Sequence, residues 1–163
     1  MRSVSDSDDA IVFAVDFSEM TDFVVDAAVT QARLFERPEV HAVAVLEISG
    51  GGTLGGRAQT HGEEIAELTE ALEARIANAF EAAGHPLDAP GDWEIEVHVR
   101  SGNPAREIAA LARELRAGLI VVGRHGHSGP RDFIVGTVPS RLLQLARCDV
   151  LVVQPSDYPD DEE

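Results

Sequence analysis

The sequence predicts an α/β fold in which five parallel strands form one doubly wound sheet, in the order 3-2-1-4-5, between two layers of helices. Two observations support this prediction. Strand-like and helix-like segments alternate along the 163 residues, and such alternation with helical crossovers is typical of a parallel sheet covered on both faces. Several strand segments are continuous apolar runs, as expected for strands buried on both faces.

The first strand, helix and second strand are predicted from apolar runs and a helix-capping signal. Ile11–Asp16 reads IVFAVD, which is typical of a strand buried on both faces. Ser18 is a favourable N-cap residue, and Glu19 suits the first turn of a helix. We therefore expect a helix from this point to about Phe35 and a second strand over Val40–Ile48.

Six glycines concentrate after the second strand, in Ser49–Gly62. This segment is expected to be a flexible connection. It has two possible interpretations: a lid over a ligand, or a solvated loop, which is the commoner role of such segments. The following segment, Glu63–Ala83, has apolar residues at helical spacing and is predicted to be an amphipathic helix ended by Gly84.

The third strand and third helix have clear local signals. Trp93–Arg100 alternates strictly between apolar and polar residues, which indicates a strand at the sheet edge or with one wet face. In the following turn, Asn103 is the expected N-cap and Pro104 the expected first residue of a helix. The buried stripe of that helix is predicted to consist of Ile108, Leu111, Ala112 and Leu115.

The last third of the chain contains the pattern on which a functional prediction rests. An apolar, β-branched strand segment, Leu119–Val122, ends at Gly123, and Gly126, Gly136 and Thr137 follow. A glycine backbone can approach a phosphate closely, and the helix after Gly136 would add unpaired N–H groups and the positive end of its dipole. This loop therefore predicts an anion cradle, with a nucleotide as the favoured ligand.

The remaining elements are a helix over Val138–Arg147 and a last strand over Val150–Val153. Ligands of doubly wound sheets bind beyond the carboxyl ends of the strands, where the strand order reverses. With the order 3-2-1-4-5, Asp16 and Gly123 should face one crevice at that point. Two other phosphate motifs are excluded, because a Walker loop needs a Lys, which the chain lacks, and the turn after the first strand has no G-x-G-x-x-G.

Composition predicts a single domain over residues 11–154, with acidic tails at residues 1–10 and 155–163. The apolar runs are too short for a transmembrane helix, and the N-terminal segment does not resemble a signal peptide. Cys148 is the single cysteine, which excludes an intrachain disulfide and is compatible with a cytoplasmic location.

The charge balance argues against some partners. The chain has 29 acidic and 13 basic residues and a net charge of −16, which disfavours binding to nucleic acids and to anionic membranes. Self-repulsion destabilises such a chain at low salt, whereas molar salt shortens the screening length to about 3 Å. Abundant acid without Lys is similar to the proteins of a salt-rich cytoplasm, so we expect a halophilic source.

These motifs resemble those of the universal stress protein family, specifically its ATP-binding branch. The glycine motif of that branch, G-x2-G-x9-G followed by Ser or Thr, matches Gly123–Thr137 without gaps. Ala14–Glu19 is similar to the family's opening V-x-x-D-x-S-E, and Gly102–Pro104 is similar to its G-x-P. Cys148–Val153 resembles its closing C-x-V-L-V-V. The resemblance covers Ile11–Gln154.

The resemblance implies a three-layer, Rossmann-like sandwich of the adenine nucleotide α-hydrolase type, with an adenine-nucleotide site. Asp16 would contact the sugar, and main-chain groups of Ala14, Val15 and Val45 would hold adenine. The glycine loop and the next helix would hold the phosphates of ATP, ADP or AMP, with Mg or Mn as an accompanying cation. The residues implied at the phosphates are Gly123, Arg124, His125, Gly126, His127, Ser128, Gly129, Gly136, Thr137 and Val138.

The resemblance also implies a role in stress survival, as a dimeric nucleotide sensor. The alternatives are a slow ATPase or nucleotidyl-type enzyme on the same fold, and an interaction protein that binds no nucleotide. No catalytic residue is predicted, because the candidates for acid–base chemistry are few: Asp16, His125 and His127. No direct metal ligand is predicted, because the six histidines are scattered and none pairs with Cys at zinc-ligand spacing. The homodimer is expected to form through Val150, Leu151, Val152 and Val153.

Two features of the glycine loop affect phosphate binding. Pro139 stands third after Gly136, where many family members have Ser, Thr or Ala. Because proline has no N–H, one γ-phosphate contact should be lost, and ADP or AMP should bind as well as ATP. Arg124, His125, His127 and Arg131 make the loop basic. Phosphate pairing and solvated side chains are the alternatives for the two arginines, and His125 is the preferred phosphate partner.

Overall fold

The computed structural model of the chain describes residues 10–35, 39–47, 57–82, 94–125 and 135–155, without the side chains of residues 57–61. Most of both predicted tails, the connection up to residue 56, Gly84 and loop residues 126–134 lie outside these ranges. The predicted strands, and the helices between them, fall largely inside them.

The described strands form one parallel sheet in the order β3-β2-β1-β4-β5. This confirms the predicted fold class and strand order. Helices alternate with the strands along the chain. The elements are β1 (Ala10–Ala14), α1 (Met20–Ala32), β2 (Glu39–Leu46), α2 (Arg57–Ala82), β3 (Ile95–Ser101), α3 (Pro104–Glu114), β4 (Leu119–Gly123), α4 (Thr137–Leu145) and β5 (Asp149–Val153).

Helices α1 and α2 cover one face of the sheet, and helices α3 and α4 cover the other. Phe13 of β1 and Leu72 of α2 belong to the first core cluster, while Val12 of β1 and Leu142 of α4 belong to the second. Strand β1 serves both clusters because its successive side chains point to opposite faces, as its apolar run predicted. Of the described helices, none is sufficiently long and apolar to cross a membrane.

The two outer strands, β3 and β5, form the sheet edges. In β3, Ile95, Val97 and Val99 pack on the first cluster, which confirms the predicted edge strand with one apolar face. After β3, the Asn103 side chain accepts a hydrogen bond from Arg106 N–H at 3.2 Å. Asn103 is therefore the N-cap of α3, as predicted.

The ends of β1 and the start of α2 differ from the sequence prediction. Ala10 begins β1 and is not part of the predicted tail, and β1 ends at Ala14, two residues before Asp16. Helix α2 begins at Arg57, so residues 57–62 of the predicted flexible connection are helical. The prediction failed because it treated every glycine as a helix breaker. A helix tolerates a single Gly such as Gly62 at a cost of about 1 kcal/mol.

Two other helices differ from the prediction at their ends. Glu19 rather than Ser18 is the N-cap of α1, and the helix ends at Ala32 rather than near Phe35. Helix α4 spans Thr137–Leu145 instead of residues 138–147. Helix ends depend on capping contacts that the apolar pattern does not encode.

Candidate functional site

A cavity of about 550 Å³ opens beyond the carboxyl ends of the strands. Strands β1 and β4 are neighbours in the sheet, and the helices that follow them, α1 and α4, pack on opposite faces. The cavity therefore lies where the strand order reverses, which is the position predicted for a ligand. Its volume falls within the range of about 300–1,000 Å³ that is usual for small-molecule sites.

The turn between β1 and α1 places Asp16 at the cavity wall. Asp16 Oδ1 accepts hydrogen bonds from Ser18 N–H at 3.0 Å and from Ser18 Oγ–H at 2.6 Å. Ser18 Oγ accepts a hydrogen bond from Met20 N–H at 3.2 Å, so the serine links the carboxylate to the start of α1. A carboxylate can accept about four hydrogen bonds, and Asp16 therefore retains capacity for a ligand hydroxyl.

Phe17 lies in the same turn and has a φ of 62°. This is the left-handed region, which non-glycine residues rarely occupy. Its side chain packs against the first core cluster and lines the cavity. Backbone strain of this kind persists only where the surrounding structure imposes it, and it is concentrated at functional sites. The strained turn places a carboxylate and an aromatic ring side by side at the cavity.

Among the described residues, α1, α3 and α4 begin at the cavity, and the last two differ in capping. The side chain of Asn103 caps α3, whereas Gly136, the N-cap of α4, has no side chain to offer. The first-turn N–H groups of Thr137 and Val138 have no acceptor within their own helix, and Pro139 has no N–H. These donors and the positive end of the α4 dipole make this wall of the cavity suitable for an anion.

The described glycines of the motif allow a close approach of chain segments. Gly136 N–H donates to Arg124 O at 2.8 Å, and Arg124 N–H donates to Val153 O at 2.9 Å. A Cβ on Gly136 would lie 2.9 Å from Arg124 O, and a Cβ on Gly123 would lie 3.1 Å from Met20 Cβ. The close contact with Arg124 O is the reason that position 136 needs glycine. The backbone conformation is not the reason, because a φ of −67° is open to any residue.

Two basic residues, His125 and Arg141, line the cavity. Burial, and secondly the charge of Arg124, lower the pKa of His125. Both effects favour the neutral ring in the free protein, and a bound anion would favour its protonation. Arg141 was not expected from the sequence. Its position four residues after Thr137 on one helix face is the signal that could have identified it.

The opposite part of the cavity is formed by the end of β2 and by apolar side chains. Val45 lines the cavity as predicted. Val15 N–H donates to Val43 O at 2.8 Å, so the carbonyl is the main-chain group of Val15 that is left for a ligand. Apolar side chains from both helix layers, Met20, Val24, Leu68 and Ile108, also line the cavity, and such a lining suits a flat, largely apolar ring.

The structure brings most of the described predicted residues to one cavity: Ala14, Val15, Asp16, Val45, Gly123, His125, Gly136, Thr137 and Val138. Arg124 is not among the lining residues and contributes its main chain to the loop closure. Gly126, His127, Ser128 and Gly129 lie outside the described residues. Sequence reasoning did not identify Phe17, Met20, Glu47 or Arg141, which reach the cavity through the packing of α1, β2 and α4.

The fold and the cavity define a doubly wound α/β protein with a ligand site at the switch point of its sheet. Residues 9–154 match the model of the Universal stress protein family. A universal stress protein of Methanocaldococcus jannaschii is 30% identical over 146 residues, which cover 88% of this chain and 81% of the relative. The chain belongs to the universal stress protein family.

Solved structures of universal stress proteins share this fold. One, in complex with cAMP, has a TM-score of 0.57 at 21% identity, over 90% of this chain and 97% of that protein. Another, from Archaeoglobus fulgidus in complex with dAMP, has a TM-score of 0.55 at 22% identity, over 89% of this chain and 97% of that protein. At such identities the likeness concerns the fold.

Proposed function

We propose that this chain binds adenine nucleotides in the cavity between β1 and β4 and acts as a nucleotide-dependent regulator in the stress response. One observation carries the proposal: Asp16 and the uncapped N-terminus of α4 line the same cavity. A carboxylate that accepts hydrogen bonds from hydroxyls, together with an anion site, matches the ribose and phosphate of one nucleotide. The family members in complex with cAMP and dAMP support adenine as the base.

In the proposed complex, the phosphates lie at the start of α4. The N–H groups of Thr137 and Val138 bind phosphate oxygens, and the closure between Gly136 and Arg124 keeps side-chain atoms out of their way. His125 and Arg141 add charge-assisted hydrogen bonds. The further phosphate contacts of the family motif, from Arg124, Gly126, His127, Ser128 and Gly129, are proposed on the resemblance alone.

The sugar and base occupy the other part of the cavity in this proposal. Asp16 accepts hydrogen bonds from ribose hydroxyls, because Ser18 engages its Oδ1 and a second carboxylate oxygen is present for the ligand. Adenine lies near Ala14 and Val45 and against the apolar wall. The carbonyl of Val15 is a suitable acceptor for the adenine amino group.

From the glycine motif, we infer that the chain belongs to the ATP-binding branch of the family. We also infer that it discriminates only weakly between ATP, ADP and AMP. Pro139 is buried and lines the cavity, and it removes an N–H from the first turn of α4. A γ-phosphate at this position therefore has one hydrogen-bond donor fewer than it would have if residue 139 were not proline. Asp16 and Glu47 are the carboxylates that line the cavity, and among the described residues they belong to no group of three possible metal ligands. We therefore propose that Mg²⁺ or Mn²⁺ is bound together with the phosphates of the nucleotide.

We further propose a homodimer joined through Val150, Leu151, Val152 and Val153. Strand β5 is a sheet edge, and an apolar edge strand invites pairing with a second copy about a two-fold axis. Helix α4, which precedes β5, leaves Leu143 60% and Leu145 45% exposed. These leucines are exposed apolar side chains on the helix that leads into the edge strand. The net charge supports a dimer that strengthens with salt, in the salt-rich cytoplasm of a halophile.

The proposed site is tested by calorimetry with AMP, ADP and ATP on the wild type and on two variants of Asp16. Asp16→Asn keeps an oxygen that can accept from Ser18 but loses the charge and the second acceptor. We expect it to fold normally and to bind each nucleotide more weakly by about 1.5–3 kcal/mol. Asp16→Ala should lose a similar amount of affinity and also some stability, because Ser18 loses its acceptor.

Two outcomes would overturn the proposed function. One is the absence of saturable binding of all three nucleotides to folded wild-type protein. The other is equal affinity of Asp16→Asn and wild type, which would remove Asp16 from the site. Turnover measured under saturating ATP separates a regulator from a slow ATPase, because a regulator should release little phosphate over many hours.

A further inference from the structure

Two histidines and a glutamate meet at the β2–β3 edge of the sheet, outside the cavity lining. In the register of these parallel strands, His41 of β2 is paired with Glu96 of β3, and His98 is paired with Val43. Glu96 and His98 lie on one face of β3 because they are two residues apart. The register therefore brings three metal-ligating side chains together although 57 residues separate the two histidines in the chain.

The distances within this cluster, His41, Glu96 and His98, are those of neighbouring ligands. His41 Nδ1 lies 3.1 Å from His98 Nε2. Glu96 Oε2 lies 3.6 Å from His41 Nδ1, and Glu96 Oε1 lies 3.7 Å from His98 Nε2. With metal–ligand distances of about 2.0–2.1 Å, two ligand atoms of a tetrahedral Zn²⁺ lie roughly 3.4 Å apart. The three groups can thus face one ion after small side-chain rotations.

A hydrogen bond between the histidines explains the 3.1 Å contact but leaves His41 incompletely satisfied. His41 is only 5% exposed, and its Nε2 is buried with no hydrogen-bond partner in the described part of the chain. In the conformation described, this Nε2 has no partner in either tautomer of a His41–His98 hydrogen bond, and rotation of Glu39, whose Oε2 lies 3.9 Å away, could pair it only in the tautomer that carries the proton on Nε2.

A metal ion at Nδ1 would fix the tautomer of His41 that Glu39 can pair with. The ring then carries its proton on Nε2, and the nearest carboxylate, Glu39, has its Oε2 3.9 Å from that nitrogen. The Glu39 side chain is 74% exposed, so it is free to rotate and accept the hydrogen bond. In such sites, a carboxylate usually accepts a hydrogen bond from the ring nitrogen that does not bind the metal, which orients the histidine.

We propose that His41, Glu96 and His98 bind a divalent transition-metal ion, for which Zn²⁺ is the best-fitting probe. Two imidazoles and one carboxylate are a ligand set of Zn²⁺ sites that keep an open position. Mg²⁺ and Ca²⁺ prefer oxygen ligands and are disfavoured here. Glu96 is 67% exposed in its side chain, and it gives the ion a route from solvent at the edge of the sheet.

The proposed ion would fasten the edge strand β3 to β2. Its ligands come from both strands, so the ion favours the paired strands over separated ones, and binding to the folded state raises stability. The site is distinct from the nucleotide cavity. His41, Glu96 and His98 do not line the cavity, and His41 precedes the first lining residue of β2, Val43, by two residues, or about 7 Å along the strand.

The test is Zn²⁺ titration by calorimetry on nucleotide-free protein, in excess Mg²⁺ to screen the acidic surface. Wild type should bind one Zn²⁺ per chain. His98→Asn and Glu96→Gln should bind at least about tenfold more weakly, because loss of even an outer-shell partner costs about 10–100-fold. Glu73→Gln is the matched control, since it removes an exposed carboxylate from α2 and should leave the affinity unchanged.

Two further measurements make the result specific. Co²⁺ added to wild type should produce the visible absorption of a tetrahedral site with nitrogen ligands, and His98→Asn should lose it. Zn²⁺ should raise the melting temperature of wild type and of Glu73→Gln, but not that of His98→Asn. The proposal is overturned if folded wild type shows no saturable Zn²⁺ binding, or if His98→Asn and Glu96→Gln bind Zn²⁺ as tightly as wild type does.

Discussion

Replacement of Gly136 by alanine tests the closure of the proposed phosphate loop. The added Cβ would lie 2.9 Å from Arg124 O, whereas ordinary contacts of a Cβ begin at 3.4 Å. Backbone atoms must therefore move apart by about half an ångström, which strains the hydrogen bond from Gly136 N–H to Arg124 O. Overpacking of this kind costs about 1–3 kcal/mol.

The net effect on stability is smaller than this steric cost. The φ of −67° at Gly136 suits alanine, and such a replacement reduces the entropy of the unfolded chain, which gains about 0.4–1 kcal/mol. We therefore expect Gly136→Ala to lose about 1–2 kcal/mol, or about 2–8 °C in melting temperature for a chain of this size. Displacement of the α4 N-terminus should weaken ATP binding at least about tenfold, or 1.4 kcal/mol.

The assays are urea unfolding and ATP calorimetry, with Gly62→Ala as the matched control. Gly62 is exposed within α2 and a Cβ there meets no atom within 4 Å, so the control should gain about 0.5–1 kcal/mol and bind ATP normally. A Gly136→Ala protein with wild-type stability and wild-type ATP affinity would refute the argument that this close approach holds the site together.

Three other changes test separate parts of the proposed function. Pro139→Ser restores an N–H and a hydroxyl at the start of α4, so ATP affinity should rise by about 1.5–3 kcal/mol with little change for AMP, and equal gains for both nucleotides would contradict the assigned γ-phosphate contact. Anion binding should raise the depressed pKa of His125, so the ratio of wild-type to His125→Asn affinity for ATP should increase as pH falls from about 8 to 6. A pH-independent ratio would remove His125 from the phosphate site. Wild type should be a dimer by light scattering in molar KCl, Val152→Lys should be a folded monomer, and Thr30→Lys, an equal charge change on α1, should remain a dimer. A dimeric Val152→Lys protein would place the interface elsewhere.

Strand order and the position of the cavity could be predicted because they follow from features that are local in sequence. Apolar runs and alternation identify strands, helical periodicity identifies crossovers, and connection rules then leave few topologies. Asp16 and Gly123 are predicted to face one crevice because each lies at the carboxyl end of a strand in the middle of the sheet. The same local logic failed at Arg57, where the glycine content of the preceding residues concealed the start of a helix.

Contacts that depend on packing could not be predicted from single segments. Met20 lies against Gly123 and Arg141 lines the cavity because α1 and α4 pack at particular positions over the sheet. The His41–His98 contact depends on the register of β2 against β3, and a shift of one residue would turn one ring to the other face. No residue pattern within either strand contains that information.

Arg124 connects strand β5 to the proposed phosphate loop through its backbone N–H and C=O groups. Its N–H bonds to Val153 at the β5 edge, and its carbonyl accepts the N–H of Gly136 in the phosphate loop. We expect a nucleotide contact that displaces Arg124 to act on β5 through this bond, which joins the inner side of the edge strand to the end of β4. Thermodynamic linkage then requires reciprocity: the factor by which ATP tightens subunit association equals the factor by which association tightens ATP binding. The dissociation constant for ATP should accordingly depend on the protein concentration at which it is measured.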